Sequence, residues 1–203
     1  MEQPRTVAEA AIAGHEGDEP AARALLAAVD PKVRAAAFGA LDRMGRLADD
    51  DVRAALADPS PVVRRRALEL AVERRDLPIA PLLDDADDDV AEQAAWACGE
   101  RVPADPGTVD RLAQLVTRHD DALVREAAVA ALGALGDPDG LPAVLAATAD
   151  KPAVRRRAVL ALAPFDGPDV RAALERAKDD RDWQVRQAAE DLLAIAREGD
   201  ADD

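Results

Sequence analysis

Val33-Arg34-Ala35-Ala36-Ala37 is the stretch that decides how this chain is read, because its Val-Arg-x-x-Ala frame recurs. The frame stands again at Val63-Arg64-x-x-Ala67, Val124-Arg125-x-x-Ala128, Val154-Arg155-x-x-Ala158 and Val185-Arg186-x-x-Ala189. A sixth copy, Val90-Ala91-x-x-Ala94, lacks the arginine. Successive copies start 30, 27, 34, 30 and 31 residues apart. A fixed period of this size marks stacked supersecondary units rather than one conventional core.

Counting from the valine, positions 1, 5, 8 and 9 are apolar in every copy, as in Val33, Ala37, Ala40 and Leu41 or Val90, Ala94, Ala97 and Cys98. The spacing i, i+4, i+7, i+8 is one face of an α-helix. The constant alanine at position 5 marks a point of close approach between layers. Each such helix, here helix B, follows a shorter apolar segment and an Asp-rich turn. These helix A segments are Ala21 to Val29, Val52 to Leu56, Ile79 to Leu83, Val109 to Val116, Leu141 to Ala147 and Val170 to Leu174. Asp-Val-Arg-Ala-Ala-Leu stands verbatim at 51–56 and 169–174, a sign of duplication. Neither helix of a pair buries its apolar face alone, so stacking completes the core.

Composition agrees. The chain has 49 alanines among 203 residues, 2% aromatics and no tyrosine. Alanine loses no side-chain entropy in a helix and suits thin, close layers. The net charge is −15, with 29 Asp, 12 Glu, 23 Arg and only 3 Lys. That balance reads as a halophilic protein, whose self-repulsion high salt screens. Cys98 is the sole cysteine and sits on the apolar stripe, so it reads as a core thiol. No run of 18 apolar residues is present, and the N-terminal residues lack a secretion signal. We therefore expect a soluble, cytoplasmic protein with no membrane association.

A helix ending in Leu or Val, then Asp-x-x-x-Val-Arg-x-x-Ala-x-x-Ala-Leu, resembles HEAT repeats, most closely the HEAT-like type named from phycobilin lyases. The resemblance covers residues 20–197 and implies an all-α, right-handed α-α superhelix of about six helix pairs. The division it suggests is an N-terminal capping helix over 1–18, the repeat array over 19–197 and a disordered acidic tail over 198–203. It also implies a ladder in which helix-B arginines pair with turn aspartates of neighbouring units. The matching arginines are Arg34, Arg64, Arg125, Arg155 and Arg186. The candidate carboxylates are Asp30, Asp58, Asp120, Asp150, and Asp180 or Asp182. A half-buried guanidinium needs an anion, which gives the pairing a physical basis. Ala91 leaves the third unit without its arginine.

No reaction centre stands out. Two histidines, His15 and His119, do not supply a metal ligand set, and Asp84-Asp85 with Asp87 to Asp89 read as solvated turns. No phosphate loop, HExxH, GxSxG or CxxC is present. No cofactor is expected. HEAT-like DNA glycosylases offer an alternative reading, with Arg65, Arg66, Arg156 and Arg157 as a phosphate-binding stripe to which Arg74 and Arg75 add, but a charge of −15 opposes nucleic acid. A regulatory subunit or a bilin-lyase-like enzyme is a further alternative. The family uses such arrays mostly as binding surfaces, so the expectation is a non-catalytic scaffold or adaptor that holds a protein or peptide on a concave helix-B surface. Trp96, at helix-B position 7, is a candidate anchor. Arg65, Arg66, Glu69 and Arg156 flank it as candidate contacts. Trp183, just before the last helix B, is expected to staple that helix or cap the core.

Overall fold

The computed structural model describes residues 5–199. Twelve α-helices and two short 3₁₀ turns make up the regular structure of these residues, with no strand among them. The chain forms two compact units, Met1–Ala97 and Cys98–Asp203.

The first unit holds α1 (Val7–Glu16), α2 (Glu19–Leu25), α3 (Pro31–Arg43), α4 (Asp49–Leu56), α5 (Pro61–Ala71) and most of α6 (Asp88–Gly99). Helices α2 and α4 are helices A, while α3, α5 and α6 are helices B. Helix α2 packs on α3 and α4 on α5, and α1, α3 and α5 stack in series. Alanines allow the thin layers: Ala10 and Ala13 of α1, Ala22 of α2, and Ala37 and Ala40 of α3 are all buried. Helix α1 thus covers the outer B helix. A reciprocal capping box starts it: Thr6 N–H donates to Glu9 at 2.8 Å and Glu9 N–H to the Thr6 hydroxyl at 3.3 Å.

The second unit holds α7 (Thr108–Arg118), α8 (Ala122–Leu135), α9 (Leu141–Ala147), α10 (Pro152–Ala161), α11 (Pro168–Ala177) and α12 (Trp183–Gly199). The pairs α7/α8, α9/α10 and α11/α12 pack internally, and α8, α10 and α12 stack. Helix α9 lies against both α7 and α8, seated between the two helices of the preceding pair.

The valine-led stripe is the core. Every position 1, 5, 8 and 9 of the six B helices is buried except Leu192, which is half-buried. All six position-5 alanines have no exposed surface. The duplicated hexapeptides also behave alike: Val52, Ala55 and Leu56 are buried, as are Val170, Ala173 and Leu174. Proline occupies the first helical position of α3, α5 and α10, where its missing N–H costs nothing.

The structure departs from the sequence expectation at several places. The third helix A is a single 3₁₀ turn, Ala80–Asp84, because Pro78 and Pro81 leave too little uninterrupted chain for an α-helix in the shortest repeat. Helix α2 ends at Leu25, and Val29 is 97% exposed in the turn beyond it. A further close approach lies between a glycine at position 10 and the position-8 alanine of the next B helix. A Cβ on Gly99 would stand 2.8 Å from Ala131 Cα, and one on Gly133 would stand 2.7 Å from Ala161 Cβ. Helix α12 extends through Glu198 and Gly199, where the acidic tail was expected to begin. The remainder of that tail, 200–203, and residues 1–4 of the N-terminal cap lie outside the described residues.

Candidate functional site

Four arginines make the same set of contacts. Arg34 donates through Nε and Nη2 to the two carboxylate oxygens of Asp58, at 3.0 and 2.7 Å. Arg64 holds Asp85 in the same way at 2.8 and 2.7 Å, Arg125 holds Asp150 at 2.7 and 2.8 Å, and Arg155 holds Asp180 at 2.6 and 2.9 Å. The third nitrogen, Nη1, donates to main-chain carbonyls of the arginine's own turn, such as Asp58 O for Arg64 and Asp150 O for Arg155. Each guanidinium therefore ties its own turn to the carboxylate of the following repeat. Fork-to-fork pairs of this kind fix geometry as well as adding energy.

Asp58, Asp150 and Asp180 thus have two roles. Their carboxylates accept from the arginine behind, and their carbonyls accept from Arg64, Arg155 and Arg186 ahead. Electrostatics follow the geometry. Burial pushes the Asp58 and Asp85 carboxyls upward, yet the arginine and main-chain hydrogen bonds outweigh it and hold both below the usual range. For Asp150 and Asp180 the arginine hydrogen bond is the larger effect, and both are likewise depressed.

Two of the expected rung carboxylates sit elsewhere. Asp30 caps α3, accepting from Lys32 N–H at 2.8 Å, because the rung register six residues before Arg34 is occupied by Ala28. Asp120 gives Arg125 its carbonyl at 2.9 Å, and Asp121 caps α8. Asp182 caps α12, which leaves Asp180 as the rung. Asp85 was read as a solvated turn and is a rung. Its signal was present: it stands five residues before Val90, as Asp58 does before Val63. Asp87 and Asp89 serve the start of α6, Asp87 accepting from Val90 N–H and Asp89 from Arg65.

Trp96 lies on the free face of α6, 45% exposed. On α5, Arg65 reaches Asp89 at 3.1 Å and Arg66 pairs with Glu69. Arg66 also lies over Gly39 of α3, where a Cβ would stand 2.7 Å from its guanidinium. Beside it is a hollow of about 280 Å³, with Ala35, Ala36 and Val7 among its walls and Arg43 and Arg66 at its edge. It opens because α3 carries Ala, Ala and Gly at positions 3, 4 and 7, where α5 carries Arg, Arg and Glu. In the second unit Arg156 donates to the Gln184 side chain, and Arg157 lies 3.6 Å from Glu126. Arg74 pairs with Asp42 at 3.1 Å, so Arg65, Arg66, Arg74, Arg156 and Arg157 of the proposed phosphate stripe each already face a partner.

Trp183 neither staples α12 nor caps the core. It is 64% exposed at the first position of α12. Two residues turn an α-helix by about 200°, so Trp183 and the buried Val185 face opposite ways. Burial pushes the Cys98 thiol up to about 12, which keeps it protonated and unreactive at neutral pH. His15 is exposed near the end of α1, and His119 accepts at Nδ1 from Asp121 N–H at 3.2 Å. Among the described residues no group of three or more His, Cys, Asp or Glu side chains is placed to hold a metal ion. No helix of the described residues is long and apolar enough to cross a membrane.

Known proteins place the fold. Residues 76–153 match the sequence pattern of HEAT repeats. A designed armadillo repeat protein in complex with the peptide (KR)4 is similar at a TM-score of 0.57 and 19% identity, over 96% of this chain and 99% of that one. A second designed armadillo repeat protein gives 0.55 and 19%, over 95% and 99%. An engineered protein gives 0.51 and 18%, over 97% and 86%. No curated protein matches this chain. The fold is accordingly an all-α helical-repeat solenoid.

Proposed function

We propose that this chain is a non-catalytic scaffold that binds a protein or peptide along the free faces of its B helices, with Trp96 as the anchor. The observation that carries the reading is the exposure of Trp96 at a position where α3 has glycine and α5 has glutamate. An exposed indole gains much apolar contact when covered, and hot spots are enriched in tryptophan. The hollow beside Arg66 gives the same face relief into which a partner side chain fits. A similar fold holding a peptide supports the reading by analogy. The HEAT-repeat reading extends from the matched residues to the whole array on the strength of the recurring Val-Arg frame. We place the protein in a high-salt cytoplasm, on the Asp excess and Lys scarcity.

Affinity capture in high-KCl lysate tests this, with wild type beside Trp96→Ala. The expected result is a partner retained by wild type and weakened by Trp96→Ala by about tenfold or more in a purified titration. An identical captured set with unchanged affinity removes Trp96 from the surface. Turnover by the purified protein, as a glycosylase or a lyase, overturns the scaffold reading.

A further inference from the structure

The last arginine of the ladder is half used. Arg186 donates through Nη1 to Asp180 O at 2.8 Å and Arg181 O at 3.3 Å, the same main-chain contacts that orient Arg34, Arg64 and Arg125. In those arginines the Nε–Nη2 edge then grips a carboxylate. For Arg186 no carboxylate among the described residues meets that edge, so a preset bidentate donor stands open.

A groove accompanies it, lined mainly by apolar side chains with Asp166 and Arg171 also on its wall. Between α11 and α12 lies a cavity of about 750 Å³, walled by Phe165, Pro168 and Val170 on one side and Leu192, Ile195 and Ala196 on the other. Ile195 is 65% exposed. The equivalent groove between α7 and α8 is filled by α9, and the turn after α9 brings Asp150 to Arg125. The α11/α12 groove and Arg186 together repeat that receptor, with neither part filled among the described residues.

We infer that this end of the second unit is a docking surface for another protein, which inserts an amphipathic helix between α11 and α12 and presents an aspartate from the turn after that helix to Arg186. The repeat's own chemistry selects this occupant: apolar side chains line most of the groove, Asp166 and Arg171 on its wall suit the polar side of an amphipathic helix, and the open donor edge matches a carboxylate. A second copy of the chain fits less well. The first turn of the array carries Ala28 where rung aspartates stand, so it has no carboxylate to bring in that register. The surface does not include Trp96, so the two proposals stand or fall separately.

The test uses the full chain and a labelled peptide of residues 168–182, stapled between exposed positions 172 and 176 to keep it helical. This peptide carries the helix and the Asp180 turn that Arg155 recognises. Saturable binding is expected, weakened about tenfold or more by Asp180→Asn in the peptide or by Arg186→Lys in the chain, which keeps the charge and loses the fork. Circular dichroism melts establish that the variant chain folds. Joining the same peptide to the chain through a flexible Gly-Ser linker raises its effective concentration to roughly millimolar. A melting temperature that ignores the added peptide, or rises equally with Asp180→Asn in it, overturns the inference. So does self-association of the chain that Arg186→Lys abolishes, since a second copy is then the occupant.

Discussion

Asp150 shows what one residue carries in this fold. Its carboxylate takes both forks of Arg125, its carbonyl takes Nη1 of Arg155, and Lys151 N–H donates to it as well. Replacing it with Asn takes from Arg125, whose side chain is only 11% exposed, the carboxylate that it grips through both Nε and Nη2. The expected cost is about 1–3 kcal/mol, read as a lower urea midpoint with an unchanged slope. The pH dependence has a definite sign. The folded carboxyl is depressed below its unfolded value of about 4, so its stabilisation is present above that value and is lost as pH falls through the folded one. The gap between wild type and Asp150→Asn should be full at pH 6 and begin to narrow as pH falls below about 4. A gap that does not narrow at all as pH falls below about 4 would show that Asp150 acts through something other than its charge.

At the scale of helices, the sequence was most readable where periodicity was strict. The buried stripe of the B helices follows from the i, i+4, i+7, i+8 pattern, and only Leu192 falls short of full burial. Helix A was harder to read. Five acids in the six residues Asp84 to Asp89 hid the rung at Asp85, and two prolines reduced the third helix A to a 3₁₀ turn. Exposure of Trp183 was missed because hydrophobicity alone does not tell which side of a helix a residue takes. The hollow over α3 was missed for the opposite reason, since small residues give no hydrophobic signal. Close packing gives a test at this scale. Gly133→Ala puts a methyl 2.7 Å from Ala161 Cβ and 2.8 Å from its Cα, neither of which is a flexible side-chain end. Ala gains about 1 kcal/mol over Gly in helix propensity, whereas overpacking costs about 1–3 kcal/mol. A lowered melting temperature is expected; a rise would mean that α8 and α10 separate without penalty.

For the whole molecule, charge is the dominant variable. With a net charge of −15, folding concentrates like charge, and added salt relieves the repulsion. Raising KCl from about 0.1 to about 1 M shortens the screening length from about 10 to about 3 Å. Exposed acids gain from this, while the rung pairs, shielded by their burial, lose little. The melting temperature is expected to climb by several degrees across that range, beyond what the same ionic strength gives a Lys-rich protein of similar size. A flat or falling curve would count against the high-salt reading.

The two-handed aspartates also guard against a hazard that duplication creates. Surfaces built from the same Val-Arg-Ala-Ala-Leu string are smooth and alike, so grease alone leaves the register of one layer on the next loosely set. A guanidinium that must meet its own turn and a foreign carboxylate at once makes a slipped stacking cost an unpaired ion. The polar seam thus acts as a proofreader for an otherwise monotonous wall.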